Sequence, residues 1–78
     1  EAYYGLGGIY NYQERYQEAA EAFETAIRLD PTHHNSYYSL GYTYEQLGRN
    51  QEAEKKYRKY RDLKARYDQL MKHQREKR

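Results

Sequence analysis

The stretch YYGLGGIY, residues 3–10, returns as YYSLGYTY at residues 37–44. Aligning residues 3–19 with 37–53 extends the likeness to nine identities in 17 positions: Tyr3, Tyr4, Leu6, Gly7, Tyr10, Arg15, Gln17, Glu18 and Ala19 meet Tyr37, Tyr38, Leu40, Gly41, Tyr44, Arg49, Gln51, Glu52 and Ala53. About one match is expected by chance at ordinary residue frequencies. The chain is therefore an internal duplication with a period of 34 residues. A period has to be read before any local pattern, because missing it misassigns the whole fold.

Each duplicated half reads as two helices. Tyr37, Leu40, Gly41 and Tyr44 fall at i, i+3, i+4 and i+7, one face of a helix, and Ala19, Ala22, Phe23, Ala26 and Ile27 show the same spacing in the next segment. The short connections QERYQ and QLGRNQ make neighbouring helices antiparallel. Gly48 suits the left-handed residue that often ends a helix, and Asp30-Pro31 closes the first half, since proline drives its predecessor out of the helical region. Helices are predicted at residues 2–13, 16–29, 34–47 and 50–76.

These residues resemble the tetratricopeptide repeat in period, in two helices per unit, and in the order aromatic, Leu-Gly, Tyr, Ala, aromatic, Ala, Pro. The match runs through Tyr3, Leu6, Gly7, Tyr10, Ala19, Phe23, Ala26 and Pro31, then through Tyr37, Leu40, Gly41, Tyr44, Ala53 and Tyr57. It fails after that, with Tyr60 where a small residue is usual and Ala65 where the proline would stand. The resemblance implies an all-α helix-turn-helix solenoid, with repeats at residues 1–33 and 34–65 and a basic extension at 66–78. Glycine in each Leu-Gly step lets the two helices of a unit approach closely, at a propensity cost of about 1 kcal/mol. The tyrosines at helical spacing, Tyr16 among them, are read as packing residues with a polar tip.

Composition sets the outer bounds. With 78 residues, 37% of them hydrophobic, and no tryptophan, there is room for one small core. Zero cysteines rules out disulfides and Cys-based zinc sites, and suits the cytosol and a secreted setting equally. No apolar run approaches a membrane span and no secretory signal is visible. No motif marks a compartment; the cytoplasm is favoured. The chain starts at Glu1 within a helical pattern and is expected to be a piece of a longer protein. Charge is divided: residues 1–54 hold three basic groups against nine acidic, a net of −6, and residues 55–78 hold eleven against three, a net of +8.

A second face is left over by the packing stripe. Tyr38, Tyr42 and Glu45 recur at i, i+4 and i+7, about a quarter-turn away. In the resemblance this is the concave face of each first helix, where such repeats hold segments of partner proteins. The matching positions of the first repeat are Tyr4, Gly8, Asn11 and Tyr12, with Asn35 at the entry to the second. The expected partner-binding set is Tyr4, Tyr12, Asn35, Tyr38, Tyr42 and Glu45; the competing reading is that Tyr4 and Tyr38 extend the packing between helices. Relatives that clamp a C-terminal carboxylate use Lys and Asn where this chain has Tyr4 and Gly8, and no lysine precedes Lys55, so a carboxylate ligand is not expected. The acidic repeats favour a protein or peptide partner of apolar, aromatic or basic character.

The last segment lacks proline and glycine from Asn50 to Arg78. Tyr60, Leu63, Tyr67 and Leu70 follow 3-4-3 spacing, a seam that outlasts the repeat. Three roles compete for it: a cap on the solenoid, a homodimer seam that would make the chain an oligomerisation unit, or a basic surface for nucleic acid or acidic membrane. Against nucleic acid, the charges surround the helix and KKYRKYR, residues 55–61, is the one dense run.

No enzyme is expected. GLGG at residues 5–8 lies in a helix and fails the dinucleotide fingerprint, with Tyr10 at the third glycine position. His33 and His34 diverge, His73 is remote, and neither a metal site nor another cofactor is expected. Glu14, Glu18, Glu21 and Glu24 are read as a solvated acidic edge.

Overall fold

In the computed structural model the described residues, 2–76, form four α-helices: α1 (Ala2–Tyr12), α2 (Tyr16–Leu29), α3 (His34–Gln46) and α4 (Asn50–Glu76). Glu1, Lys77 and Arg78, the outermost residues of the expected units, lie outside the described residues. Each helix packs antiparallel on the next, and α1 touches α3 lightly. No helix among the described residues is long and apolar enough to cross a membrane.

The ends of α1 and α3 come one residue earlier than predicted because the same turn closes both. After α1, the amide of Glu14 donates to the Asn11 carbonyl (2.9 Å) and that of Arg15 to the Tyr10 carbonyl (2.8 Å). After α3, Gly48 donates to Glu45 (3.0 Å) and Arg49 to Tyr44 (2.8 Å), the pair of bonds that recovers orphan carbonyls at a helix end. The turn needs a left-handed residue: Gly48 has φ +79°, and Glu14 takes φ +60° in the same place. Left-handed backbone costs a side-chain-bearing residue about 1–2 kcal/mol. Glu14→Gly is therefore expected to stabilise the chain by about 1 kcal/mol, after allowance for the freer unfolded backbone, as a rise in urea midpoint at unchanged m-value.

Each elbow is then locked by an arginine. Arg15 lays its guanidinium over the Tyr10 ring, 4.9 Å from the centroid, and forks onto Glu18, with Nε to Oε1 at 2.7 Å. Arg49 repeats both contacts on Tyr44, at 4.5 Å, and on Glu52, at 2.7 Å. Between repeats, the Asp30 carboxylate accepts from the Thr32 amide (3.1 Å) and hydroxyl (2.7 Å), and these bonds hold it below the usual carboxylate range. Tyr37 donates to the Pro31 carbonyl (3.0 Å), tying the start of α3 to the connection.

The core lies where α2 meets α3 and each first helix meets its second: Ala19, Ala20, Phe23, Leu40, Tyr44 and Ala53 are buried together, with Tyr4, Tyr10, Ile27, Leu47 and Tyr57 packed around them. A Cβ on Gly7 would lie 2.6 Å from the Phe23 ring, and one on Gly41 2.8 Å from the Tyr57 ring. The glycines are therefore the points of closest approach within each helix pair. In α3 the buried polar side chains also find partners. Thr43 shares its hydroxyl proton between the Ser39 carbonyl (2.8 Å) and Asn11 Oδ1 (3.0 Å), and Ser36 meets His33 Nδ1 (2.6 Å).

Candidate functional site

Three of the six residues expected to meet a partner stand together on α3, and two of them meet one ring. Tyr38 packs its ring against Tyr57, centroids 5.5 Å apart, and Glu45 accepts from the Tyr57 hydroxyl at 2.6 Å. Tyr42 stands one turn on from Tyr38, beside Tyr16, whose phenol is raised by burial first and then by Tyr42. Tyr38 and Tyr42 stay half-exposed, so each is fixed on one side and open on the other. Helical spacing brings the three together: α3 offers them at successive turns, and α4 supplies Tyr57 where α2 has Phe23.

The other three sit apart from this cluster. Tyr4 is half-buried, its ring 5.8 Å from Phe23 and edge-on to His33 at 4.9 Å, so much of it serves the packing of α1 on α2. Tyr12 is almost fully exposed at the end of α1, and Asn35 is exposed in the first turn of α3. Gly8 meets no neighbouring atom within 4 Å where a Cβ would be, leaving the surface above it open.

The seam residues divide likewise. Tyr60 is half-buried against Tyr38 (5.1 Å) and His34 (5.9 Å), and His34 also meets Tyr67 (5.4 Å). The seam is thus covered further along than its spacing indicated, because α3 begins with a histidine that reaches over α4. Tyr67 stays half-exposed beside His34, Leu63 is half-buried, and Leu70, beyond this cover, is exposed. Rings run without a break from Tyr57 through Tyr38, Tyr60 and His34 to Tyr67.

Two residues carry more than the sequence suggested. Glu24, read as part of a solvated edge, accepts a hydrogen bond from the Tyr44 hydroxyl across the α2–α3 interface. Tyr57, read as packing alone, anchors the candidate cluster. The available signal was the exchange of Phe23 for Tyr57 at the repeat-equivalent position, since a half-buried hydroxyl needs an acceptor. The Tyr44 and Tyr57 phenols are pushed well above their ordinary value, by burial first and then by Glu24 and Glu45 respectively.

That shift has a sign. The folded state favours the neutral phenol, so its contribution is complete below the unfolded pKa of about 10 and is lost as pH rises from there through the folded value. Urea midpoints are expected to hold steady up to about pH 9.5 and fall above about pH 10, and Tyr44→Phe/Tyr57→Phe to reduce the fall. Among the described residues no three His, Asp or Glu side chains converge as a metal site would need.

A family model described as tetratricopeptide repeat matches residues 4–68, most of the chain. The chain belongs to the tetratricopeptide repeat family. Relatives of this tetratricopeptide unit include anaphase-promoting complex subunit 3 of Schizosaccharomyces pombe, 36% identical over 53 residues, which cover 68% of this chain and 8% of that protein. Protein bimA of Emericella nidulans is 35% identical over 52 residues, covering 67% of this chain and 6% of that protein. The chain thus spans less than a tenth of the length of these curated relatives. Among solved structures, that of MamA superposes with a TM-score of 0.83 at 32% identity, over 87% of this chain and 40% of that one. The fold is an all-α tetratricopeptide solenoid, with protein–protein interaction as its class of function.

Proposed function

We propose that the chain recognises a short segment of a partner protein, seated on the concave face and contacting Tyr38, Tyr42 and Glu45, with Tyr4, Tyr12 and Asn35 at its margins. The observation that carries this reading is the half-exposed pair Tyr38 and Tyr42, with the Tyr38 ring backed by Tyr57 and Tyr60. Rings already held in place give contact area while losing little freedom on binding. Glu45 keeps a carboxylate among them, which suits a segment that is apolar or aromatic with a basic residue. One relative is by name a subunit of a complex, which agrees with a recognition role.

The test compares the chain with its Tyr38→Ala/Tyr42→Ala variant in a pull-down from source lysate, followed by titration of the captured protein. Anchoring aromatics commonly carry more than about 1 kcal/mol each. The double variant is expected to bind at least about 10-fold more weakly while keeping its far-ultraviolet circular dichroism. Equal affinity in a folded variant would remove these tyrosines from the site.

A further inference from the structure

At each elbow a guanidinium lies over a tyrosine ring and forks onto a glutamate: Arg15 on Tyr10 (4.9 Å) and Glu18, Arg49 on Tyr44 (4.5 Å) and Glu52. The lysine set over a ring, Lys56 on Tyr37, stands further off at 5.9 Å. A third tyrosine and glutamate are placed together on α3, where Tyr42 and Glu45 at i and i+3 share one face of the helix. Tyr42 is 42% exposed and Glu45 is exposed. This pair has no arginine of its own. Among the described residues no cation lies over Tyr38 or Tyr42, and none forms an ion pair with Glu45.

The surroundings hold the pair in place and leave it open. Tyr57 donates its hydroxyl to Glu45 Oε1 (2.6 Å) and is braced by the Tyr38 ring at 5.5 Å, so the carboxylate is fixed through one oxygen and keeps Oε2 for further donors. On its other side Tyr42 lies beside Tyr16 of α2. Neither α1 nor α3 contains a lysine or arginine, so the charge of Glu45 is unanswered on its own helix and on the matching one. One period earlier the two positions are Gly8 and Asn11, without ring or charge, and Asn11 is taken up by the Thr43 hydroxyl (3.0 Å). The duplication has given this tyrosine and glutamate to the second repeat alone.

We propose that Tyr42 and Glu45 seat one arginine side chain of the bound segment, with its guanidinium on the open face of the Tyr42 ring and its N–H groups on Glu45. The inference rests on the recognition reading above and deepens it, naming the residue that sets the register of the segment along α3. A guanidinium suits the seat better than an ammonium: it is planar and weakly hydrated, and it can stack on a ring while forking onto a carboxylate, as it does at both elbows. An acidic residue at that point of the segment would meet Glu45 with like charge and be rejected.

The test pans a phage-displayed library of random short peptides on the chain and titrates the enriched sequences, as synthetic peptides, against the parent, Tyr38→Ala/Tyr42→Ala and Glu45→Gln. Glutamine keeps an acceptor for the Tyr57 hydroxyl, so Glu45→Gln should fold with an unchanged thermal midpoint. The enriched peptides are expected to share one arginine, whose replacement by lysine weakens binding at least about 5-fold on the parent and less than about 2-fold on Glu45→Gln. A general loosening of the surface would weaken the arginine and lysine peptides alike, so their ratio reads the seat itself. Peptides that need the two tyrosines but share no arginine, accept lysine in its place, or keep the arginine advantage on Glu45→Gln overturn the seat and leave the recognition reading standing. Peptides indifferent to both tyrosines, or no enrichment at all, remove the two together.

Discussion

Phe23→Ala is expected to leave the chain largely unfolded at 25 °C, with most of its helical circular dichroism gone. Phe23 is 1% exposed, with the Tyr4 ring 5.8 Å away and Gly7 directly beneath its edge. Truncating a buried phenylalanine costs about 3–5 kcal/mol through lost transfer energy and the cavity left behind. A core in a chain this short supplies about 3–5 kcal/mol of net stability. The loss therefore matches the whole reserve. Relaxation gives little back, because the ring fills the space between two helix backbones already held by the elbow at Arg15. Phe23→Leu, which nearly conserves volume, should cost less than about 1.5 kcal/mol and still unfold cooperatively in urea. A Phe23→Ala chain with a native-like urea midpoint would show that the α1–α2 interface contributes little to the fold.

Gly5→Ala/Gly8→Ala is expected to act in the opposite direction, raising stability by about 2 kcal/mol. Neither position has any atom within 4 Å of the space a Cβ would take, so each alanine adds helix propensity without a clash. For a domain of this size the gain corresponds to a rise of about 8–16 °C in thermal midpoint. Gly7→Ala, between them in sequence, should destabilise. Its Cβ would stand 2.6, 2.7 and 2.8 Å from three atoms of the Phe23 ring, and that ring has nowhere to move. Overpacking of about 1–3 kcal/mol then outweighs a propensity gain of about 1 kcal/mol. Gly41→Ala should lose less than Gly7→Ala, since Tyr57 is only half-buried and its ring can give way. Calorimetry on the three variants reads the sign of each change directly. A stabilising Gly7→Ala would mean that the closest approach within the first repeat lies elsewhere.

The helices and their order were legible in the sequence because the period, Pro31 and Gly48 are local signals with local causes. The Leu-Gly step was legible as a close approach for the same reason. The surroundings of a face were not. Tyr3 and Leu6 carry the same signature as Tyr37 and Leu40, yet the first pair is exposed and the second buried. Periodicity names a face, and burial depends on what stands opposite it. Glu24 and Tyr57 escaped notice for a related reason: each has its partner on another helix, twenty residues away at Tyr44 and twelve away at Glu45. Of the expected partner-binding set, the spacing on α3 grouped Tyr38, Tyr42 and Glu45 correctly as neighbours. For Tyr4 the competing reading, that it extends the packing between helices, describes the ring as it lies against Phe23 and His33.

The position of α3 between α2 and α4 also sets the order in which the molecule lets go. Amide protons in a helix covered on both flanks exchange with solvent mainly when the whole domain opens, whereas those of a helix covered on one flank escape by local fraying. α1 is of the second kind, carries three glycines in its eleven residues, and should exchange before α3. Tyr38, Tyr42 and Glu45 all stand on α3. A segment bound there would be gripped by the part of the chain that persists longest, and the fraying of α1 would pass without releasing it.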